Sequence, residues 1–249
     1  MRLGEGSLIH FTKSINDIGK ILENGFLFVP NRRNLFEKFM GENWVPKGWT
    51  TAVTRPEPQY FGMVSFAQVA DHEVGEFQSQ FGKFGIAVKW EWAARNGIDR
   101  VIYIHDSGNV FSAFQSLFKN ALKDYIDHVP YPDDGFYQMG LENKKIAGHI
   151  PSGRNYSNLL TIYEYMEPSE NGHQMEWRLV NYMPDYSFTT DKTSNINTAL
   201  NLAKSNLGNV RVDRQDIAFI CCPWFKILQL WFSLPNAFRK VRIIPTTLW

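Results

Sequence analysis

The first thirty residues change twice between strand-like and helix-like hydrophobic spacing. Residues 8–11 have the pattern of a short strand, and apolar residues then recur at helical spacing. Ser14 is the expected N-cap of that helix, and Gly25 is its expected end. Residues 26–29 return to a strand pattern. The chain is therefore predicted to open strand–helix–strand, with His10 at the end of the first strand.

The rest of the chain continues with short strand and helix patterns. Helical spacing predicts helices over residues 67–77, 90–96, 110–125, 195–207 and 224–234. Strand patterns occupy residues 63–66, 85–89, 101–104, 159–165, 174–182, 211–222 and 241–244. No Gly-x-Gly-x-x-Gly or Walker A sequence follows a strand. We therefore predict one α+β domain over residues 1–249, with a mixed, largely antiparallel sheet and peripheral helices.

Residues 31–60 carry few periodic signals. They contain three prolines and five aromatic residues, which argue against a plainly disordered segment. A long irregular loop within a compact domain is usually functional or disordered. We interpret this loop as a pocket lid or a substrate loop.

Composition and charge set limits on the class of protein. The chain has 249 residues and 44% hydrophobic residues, enough to bury a core without disulfides or a structural metal. The net charge is only +1, which argues mildly against binding nucleic acid by a general basic excess. Two places allow either a local basic patch or ordinary solvated surface. They are Arg32 with Arg33, and Arg239 with Lys240 and Arg242.

The two cysteines and the apolar segments indicate the compartment. Cys221 and Cys222 are adjacent inside an apolar run, so we expect buried thiols in a core strand and a reducing environment. That setting would raise the pKa of both thiols and disfavours a Cys-His nucleophile. The first residues lack the apolar region of a signal peptide, and no apolar stretch is long enough to span a membrane. We expect a cytoplasmic protein with no membrane partner.

Two short segments carry candidate chemistry. The six histidines show no metal-binding spacing, so no metal site is predicted. Residues 8–12 form a strand that ends in His10 and Thr12. In residues 175–180, Glu176 and Arg178 alternate with apolar neighbours, so both side chains should share one strand face. That face is either a pocket wall or an exposed, salt-bridged strand.

These residues resemble a known enzyme superfamily. The string His10-Phe11-Thr12, followed by a helix and by Gly25-Phe26-Leu27, resembles the opening of the His-Tyr-Glu branch of ADP-ribosyltransferases, including DarT-like enzymes. Glu176 looks like the late-strand glutamate of that branch. The stretches 64–66, 82–89 and 92–93 are also similar to AbiGi-type abortive phage-infection proteins, and this similarity extends over most of the chain.

The resemblance implies a fold, a substrate and roles for individual residues. It implies a split mixed sheet of the ADP-ribosyltransferase type, with NAD bound as substrate. Glu176 would be catalytic and would stabilise the positive ribose formed when the nicotinamide bond breaks. His10 would hydrogen-bond the ribose hydroxyls. The further residues that it assigns to NAD binding are Phe11, Thr12, Tyr60, Ser65 and Arg178.

Two of these assignments carry alternatives. The ring that stacks on nicotinamide is not settled by the pattern, with Tyr60, Phe61, Phe66 and Trp44 as candidates. Arg178 would contact the NAD pyrophosphate or an acceptor, or would pair with a neighbouring carboxylate.

The implied function is mono-ADP-ribosylation of a protein or nucleic-acid acceptor, in bacterial phage defence or a toxin–antitoxin system. One alternative is a non-catalytic antitoxin that uses the same fold to hold a partner. The other is an NAD glycohydrolase, or a nuclease in the same defence setting. Convergence of His10 and Glu176 on an open cleft would favour an enzyme, whereas an aromatic residue filling that cleft would favour partner binding.

Overall fold

A computed structural model of the chain describes residues 7–33, 59–69, 74–105, 107–128, 158–159, 161–163, 165–168, 175–181 and 208–246. The strands in these residues are β1 (Ser7–Thr12), β2 (Phe26–Leu27), β3 (Val29–Arg33), β4 (Gln59–Ala67), β5 (Phe84–Lys89), β6 (Asp99–Arg100), β7 (Ile102–Ile104), β8 (Met166–Pro168), β9 (Glu176–Asn181), β10 (Asn209–Val210), β11 (Ile217–Pro223) and β12 (Ile243–Thr246). The α-helices are α1 (Ile15–Asn24), α2 (Val74–Phe81), α3 (Trp90–Arg95), α4 (Asn109–His128) and α5 (Ile227–Ser233). Short 3₁₀ turns cover Arg214–Asp216, Trp224–Lys226 and Asn236–Phe238.

One eight-stranded sheet organises the described part of the chain. Its order is β12-β11-β5-β1-β4-β9-β6, and β3 pairs with β4 beside this path. Its pairs are antiparallel except for β11 with β12. Two-stranded ribbons join β10 to β2 and β7 to β8. The predicted α+β class, with a mixed and largely antiparallel sheet, is confirmed.

The sheet opens between its two central strands. β1 pairs with β5 along its whole length, and β4 pairs with β9 from Gly62 to Ala67. Across the described strands, β1 and β4 share a single register pair, Ile9 with Ala67. Beyond that pair the two strands separate. This opening is termed the fork.

Helix α1 forms as its sequence predicts. Ser14 Oγ accepts a hydrogen bond from the Asp17 backbone N at 3.2 Å and donates to the Asp17 carboxylate at 2.8 Å. Gly25 ends the helix at a φ of 93°, and its N donates to Ile21 O at 2.8 Å. A Cβ on Gly25 would lie 2.5 Å from Val210 O, so only glycine fits there. The buried face of the helix consists of Ile15, Ile18 and Leu22.

Both faces of the sheet are covered by apolar side chains. Alternation along β1 sends Leu8 to one face and Ile9 to the other. The Leu8 face packs against α1 and holds the main core, which includes Phe26, Phe66 and Trp92. The Ile9 face carries smaller clusters: one contains Ile9, Ala87, Phe219 and Cys221, and the other contains Ala67, Val69 and Phe77. None of the described helices has the length and apolar content needed to cross a bilayer.

Two of the predicted elements are wrong. The pattern of residues 159–165 predicts a strand, but residues 161–163 are helical and the strand begins at Met166. Short apolar runs do not distinguish strand from helix by periodicity alone, which explains the error. The helix predicted over 67–77 starts too early, because Ala67 still pairs with Glu176 in the sheet. The described helix in this region is α2.

Other predictions are only partly correct or concern residues outside the described part of the chain. The interval 31–60 is not entirely a loop, because residues 31–33 belong to β3 and pair with residues 59–61 of β4. Residues 34–58 lie outside the described part, as does the helix predicted at 195–207. The helix predicted over 110–125 is confirmed as α4, although its apolar residues Val110 and Leu117 are exposed.

Candidate functional site

A cleft with a volume of about 220 Å³ lies at the fork. It is lined by Ile9, His10, Phe11, Ser65, Phe66, Ala67, Phe77, Phe81 and Glu176. Strands β1, β4 and β9 and helix α2 supply these residues. The cleft lies where β1 continues past Ile9 and where β4 precedes Ala67, a stretch over which the two antiparallel strands are not paired.

His10 fills part of the opening with its ring. Its Nδ1 lies 2.8 Å from Ser65 O, and a carbonyl oxygen only accepts, so Nδ1 carries the proton and donates. Burial lowers the pKa of His10 below its ordinary value of 6.5, against smaller opposing effects of the Ser65 carbonyl and the Asp17 charge. The ring packs edge-on to Phe26 at 5.3 Å and lies 5.7 Å from Phe66. His10 is therefore a neutral imidazole whose Nε2 is an acceptor.

Glu176 is held by two donors. Its Oε1 accepts hydrogen bonds from Ser65 Oγ at 2.9 Å and from Arg178 Nε at 2.8 Å. Its Oε2 accepts from Arg178 Nη2 at 2.9 Å. Glu176 and Arg178 thus share one strand face as predicted, and they form a bidentate pair. Of the two interpretations of this face, an exposed salt bridge is wrong, because the Arg178 side chain is only 2% exposed.

A second carboxylate contacts the same guanidinium. Arg178 Nη2 also donates to Glu167 on β8. Glu167 and Glu176 thus share the Arg178 guanidinium, and the three side chains form one ion-pair cluster beside the cleft.

Ser65 connects the two faces of the sheet at the fork. His10 lies on the Leu8 face, where it contacts Phe26 and Phe66. Glu176 lies opposite Ala67, on the Ile9 face. Ser65 binds both, through its backbone O to His10 and through its Oγ to Glu176. The two residues reach one cleft from opposite sides only because the strands separate there.

The other predicted site residues are divided between the cleft and its surroundings. Phe11 lines the cleft, and its ring stacks on Phe77 at 6.0 Å. Thr12 is buried away from the lining, and its Oγ1 donates to Ser14 O at 3.2 Å. Arg178 stands behind Glu176 rather than at the cleft surface. Tyr60 is a backbone partner of β3 in the sheet, and its side chain is outside the described set, as is residue 44.

Three functional candidates were missed by the sequence interpretation. Phe77 and Phe81 form the aromatic wall of the cleft from α2, with ring centroids 5.9 Å apart. Their i, i+4 spacing places both on one helix face, and that spacing was the available signal. Glu167 carries no local sequence signal, because it reaches Arg178 only through tertiary structure: β8 pairs with β7, and β7 follows β6, the strand beside β9.

Other chemistries find less support in the described residues. Burial raises the pKa of Cys221 to about 12 and that of Cys222 to about 11, so neither thiol is a ready nucleophile. Over the same residues, no group of three or more His, Cys, Asp or Glu side chains is arranged to hold a metal ion. The polar side chains in the cleft lining are those of Glu176, Ser65 and His10.

Similarity to known proteins assigns nothing further to this cleft. No family model, curated protein or solved structure matches the chain. The chemistry of the site therefore rests on its own side chains.

Proposed function

We propose that the protein is an NAD-dependent mono-ADP-ribosyltransferase and that the cleft at the fork binds the nicotinamide–ribose end of NAD. One observation carries this proposal: a carboxylate fixed by Ser65 and Arg178 shares a small aromatic-walled cleft with a neutral histidine. The sequence resemblance to ADP-ribosyltransferases supports the same assignment of Glu176 and His10.

The reaction requires a fixed anion near the ribose. When the C1′–N bond breaks, its electron pair leaves with nicotinamide and C1′ becomes electron-deficient. Glu176 would stabilise this oxocarbenium-like state, as carboxylates do in glycoside cleavage. The acceptor nucleophile then forms a bond to C1′ and loses its proton. Ser65 and Arg178 hold the carboxylate in position, so little reorganisation is needed as the charge develops.

The remaining lining groups fit the rest of this end of NAD. His10 Nε2 accepts a hydrogen bond from one ribose hydroxyl, since the Nδ1 proton is already given to Ser65 O. Phe11, Phe77 and Phe81 offer flat apolar surfaces for the nicotinamide ring. The cleft is smaller than the roughly 300–1,000 Å³ usual for sites that enclose a drug-sized ligand. It therefore suits one end of the dinucleotide, with the adenosine half outside it.

The acceptor and the biological setting are further parts of the proposal. A protein or nucleic-acid acceptor, and a place in phage defence or a toxin–antitoxin pair, follow from the resemblance stated above. The two alternatives, NAD glycohydrolase and partner-binding protein, differ from the transferase in what happens to NAD. The same assay therefore distinguishes all three.

The test measures nicotinamide release from NAD by purified protein, with and without cell lysate as a source of acceptors. The variants are Glu176→Gln, Glu176→Asp and the control Glu91→Gln, whose side chain is exposed on α3. We expect Glu176→Gln to lower kcat/KM by about 10²–10³-fold, as for loss of other transition-state stabilisers. Glu176→Asp keeps the charge and should retain more activity, and Glu91→Gln should match the wild type. Circular dichroism checks that each variant is folded.

Each outcome separates the functions. Release that depends on Glu176, with label from the ADP-ribosyl group moving to a macromolecule, supports the transferase. Release without label transfer replaces it with a glycohydrolase. A folded wild-type protein that neither releases nicotinamide nor binds NAD overturns the enzymatic proposal and leaves a partner-binding protein.

A further inference from the structure

A second cleft, larger than the first, lies at the far end of β5. Its volume is about 730 Å³, and its charged lining residues are Lys89, Arg214, Lys240, Arg242 and Asp213. These five residues define the basic groove. We propose that the basic groove is a binding site for a ligand that carries several phosphate groups, either a free nucleotide polyphosphate or a nucleic-acid backbone.

The sheet order brings these cations together. Lys89 ends β5, and Arg214 lies in the 3₁₀ turn that leads into β11, the neighbour of β5. Lys240 and Arg242 precede β12, which is the next strand, and Arg242 O accepts from Ile220 N at 2.9 Å. Three chain segments that are distant in sequence thus converge on one concave surface.

The charge of the groove differs sharply from that of the chain. Four basic side chains face one carboxylate in its lining, whereas the whole chain carries a net charge of only +1. The neighbouring Asp216 does not offset this excess, because it pairs with Arg95 at 2.7 Å outside the lining. A concave site lined mainly by positive charges focuses the electric field and raises the local concentration of anions. The groove therefore selects for negative charge.

The shape and the side-chain types narrow the ligand further. The volume lies within the range of about 300–1,000 Å³ that is usual for ligand sites. Ile217, Ala218 and Val241 give part of the lining an apolar surface. The guanidinium group of Arg214 matches the geometry of phosphate oxygens, and the ammonium groups of Lys89 and Lys240 add point charges. A single carboxylate would use few of these donors, whereas a chain of phosphates would use several.

The basic groove is distinct from the cleft at the fork. The two linings share no residue. Lys89 is at the end of β5 that pairs with Ser7, while the fork opens towards the other end of β1. The proposal goes beyond ADP-ribosyl transfer, and its test needs no NAD turnover.

The test is direct binding to the full-length chain at several salt concentrations. The probes are inorganic tripolyphosphate, followed by calorimetry, and a fluorescein-labelled single-stranded oligonucleotide, followed by fluorescence anisotropy. The groove variant is Lys89→Gln/Lys240→Gln. The control is Lys13→Gln/Lys20→Gln, which removes the same charge from exposed positions outside the groove.

We expect the groove variant to bind about tenfold more weakly than the wild type. For the single-stranded oligonucleotide, the magnitude of the log–log salt slope should fall by about 1.4, which is about 0.7 for each lysine that no longer binds a phosphate. The control should stay within about twofold. Tripolyphosphate binding with these properties supports the site with a free polyphosphate ligand, and oligonucleotide binding alone supports it with a nucleic-acid strand. Equal weakening in both double variants, or no binding of either probe by the wild type, overturns the proposal.

Discussion

Arg178 donates hydrogen bonds to both carboxylate oxygens of Glu176, which lies two positions earlier on the same strand. The guanidinium is almost fully buried, whereas the carboxylate reaches the edge of the cleft. The strand therefore presents an anion to the cleft and keeps its cation behind it. Glu167 balances that cation from the other side.

Replacing the buried cation should destabilise the fold strongly. Arg178→Met leaves the carboxylates of Glu167 and Glu176 close together without their shared donor. We expect the free energy of unfolding to fall by about 3 kcal/mol or more, as when one partner of a buried ion pair is removed. Urea unfolding at neutral pH measures this loss.

The matched control is Arg95→Met, which removes an arginine from the pair with Asp216. The Arg95 side chain is 60% exposed, so solvent screens that pair. We expect a loss of no more than about 1 kcal/mol. Similar losses in both variants would show that burial of Arg178 has no special energetic role.

Loss of the Ser65 hydroxyl should reduce turnover. Ser65→Ala removes the donor to Glu176 Oε1, so the carboxylate is less well oriented towards the ribose. We expect kcat/KM for nicotinamide release to fall by about tenfold, which corresponds to one hydrogen bond of about 1–1.5 kcal/mol. Thr12→Ser is the control, because it keeps the hydroxyl that donates to Ser14 O and lies outside the cleft lining. An equal fall in the control would contradict the assignment.

The stability of the protein should depend on pH through His10. Burial lowers the pKa of His10 in the folded state below the ordinary value of 6.5 that applies to the unfolded chain. Between these two pKa values the unfolded chain binds a proton and the folded chain does not, so acid favours unfolding. The contribution of His10 is therefore complete above about pH 7 and is lost as the pH falls below 6.5.

His10→Gln tests this dependence, because glutamine does not titrate and retains an N–H donor for Ser65 O. The stability of the wild type relative to the variant should rise with pH below 6.5, by up to about 1.4 kcal/mol per unit, and then level off. Urea unfolding in a series of buffers measures it. A difference that falls with increasing pH would mean that His10 is charged in the folded protein.

Gly85 should not tolerate a side chain. A Cβ at this position of β5 would lie 2.8 Å from Cys221 Sγ and 2.9 Å from Ile9 Cγ2. Because these neighbours are buried on adjacent strands, Gly85→Ala should lower the free energy of unfolding by about 1–3 kcal/mol. Gly19→Ala on α1 is the opposite case, since nothing lies within 4 Å of its Cβ. That change should stabilise the protein by roughly 0.5–1 kcal/mol, and thermal unfolding of both variants measures the contrast.

Local patterns predicted the parts of the fold that local physics determines. The two ends of α1, at Ser14 and Gly25, were predicted correctly because capping and a positive φ depend on nearby residues. The shared face of Glu176 and Arg178 follows from the two-residue period of a strand alone. The class of the fold followed from the number and spacing of such elements.

Relationships between distant segments were not accessible in the same way. Neither the bond from His10 to Ser65 nor the pair of Glu167 with Arg178 has a local signature, because strand order creates both. The strand prediction at 159–165 was wrong for a related reason. Tyr163 is buried by tertiary packing of a helical segment and not by a sheet. The sequence indicated only part of the basic groove, namely Lys240 and Arg242.

The order of the strands also has a consequence for how the chain folds. Ser65 and Glu176, which meet at the fork, are 111 positions apart, and Gln78 bonds to Thr246 across 168 positions. Contacts between residues so far apart in sequence slow folding, since long loops must close before these contacts offset the lost entropy. During synthesis β4 and β5 emerge well before β9 and β11 and have exposed edges until then. The protein is therefore expected to fold slowly and to need protection from aggregation before its C-terminal strands are made.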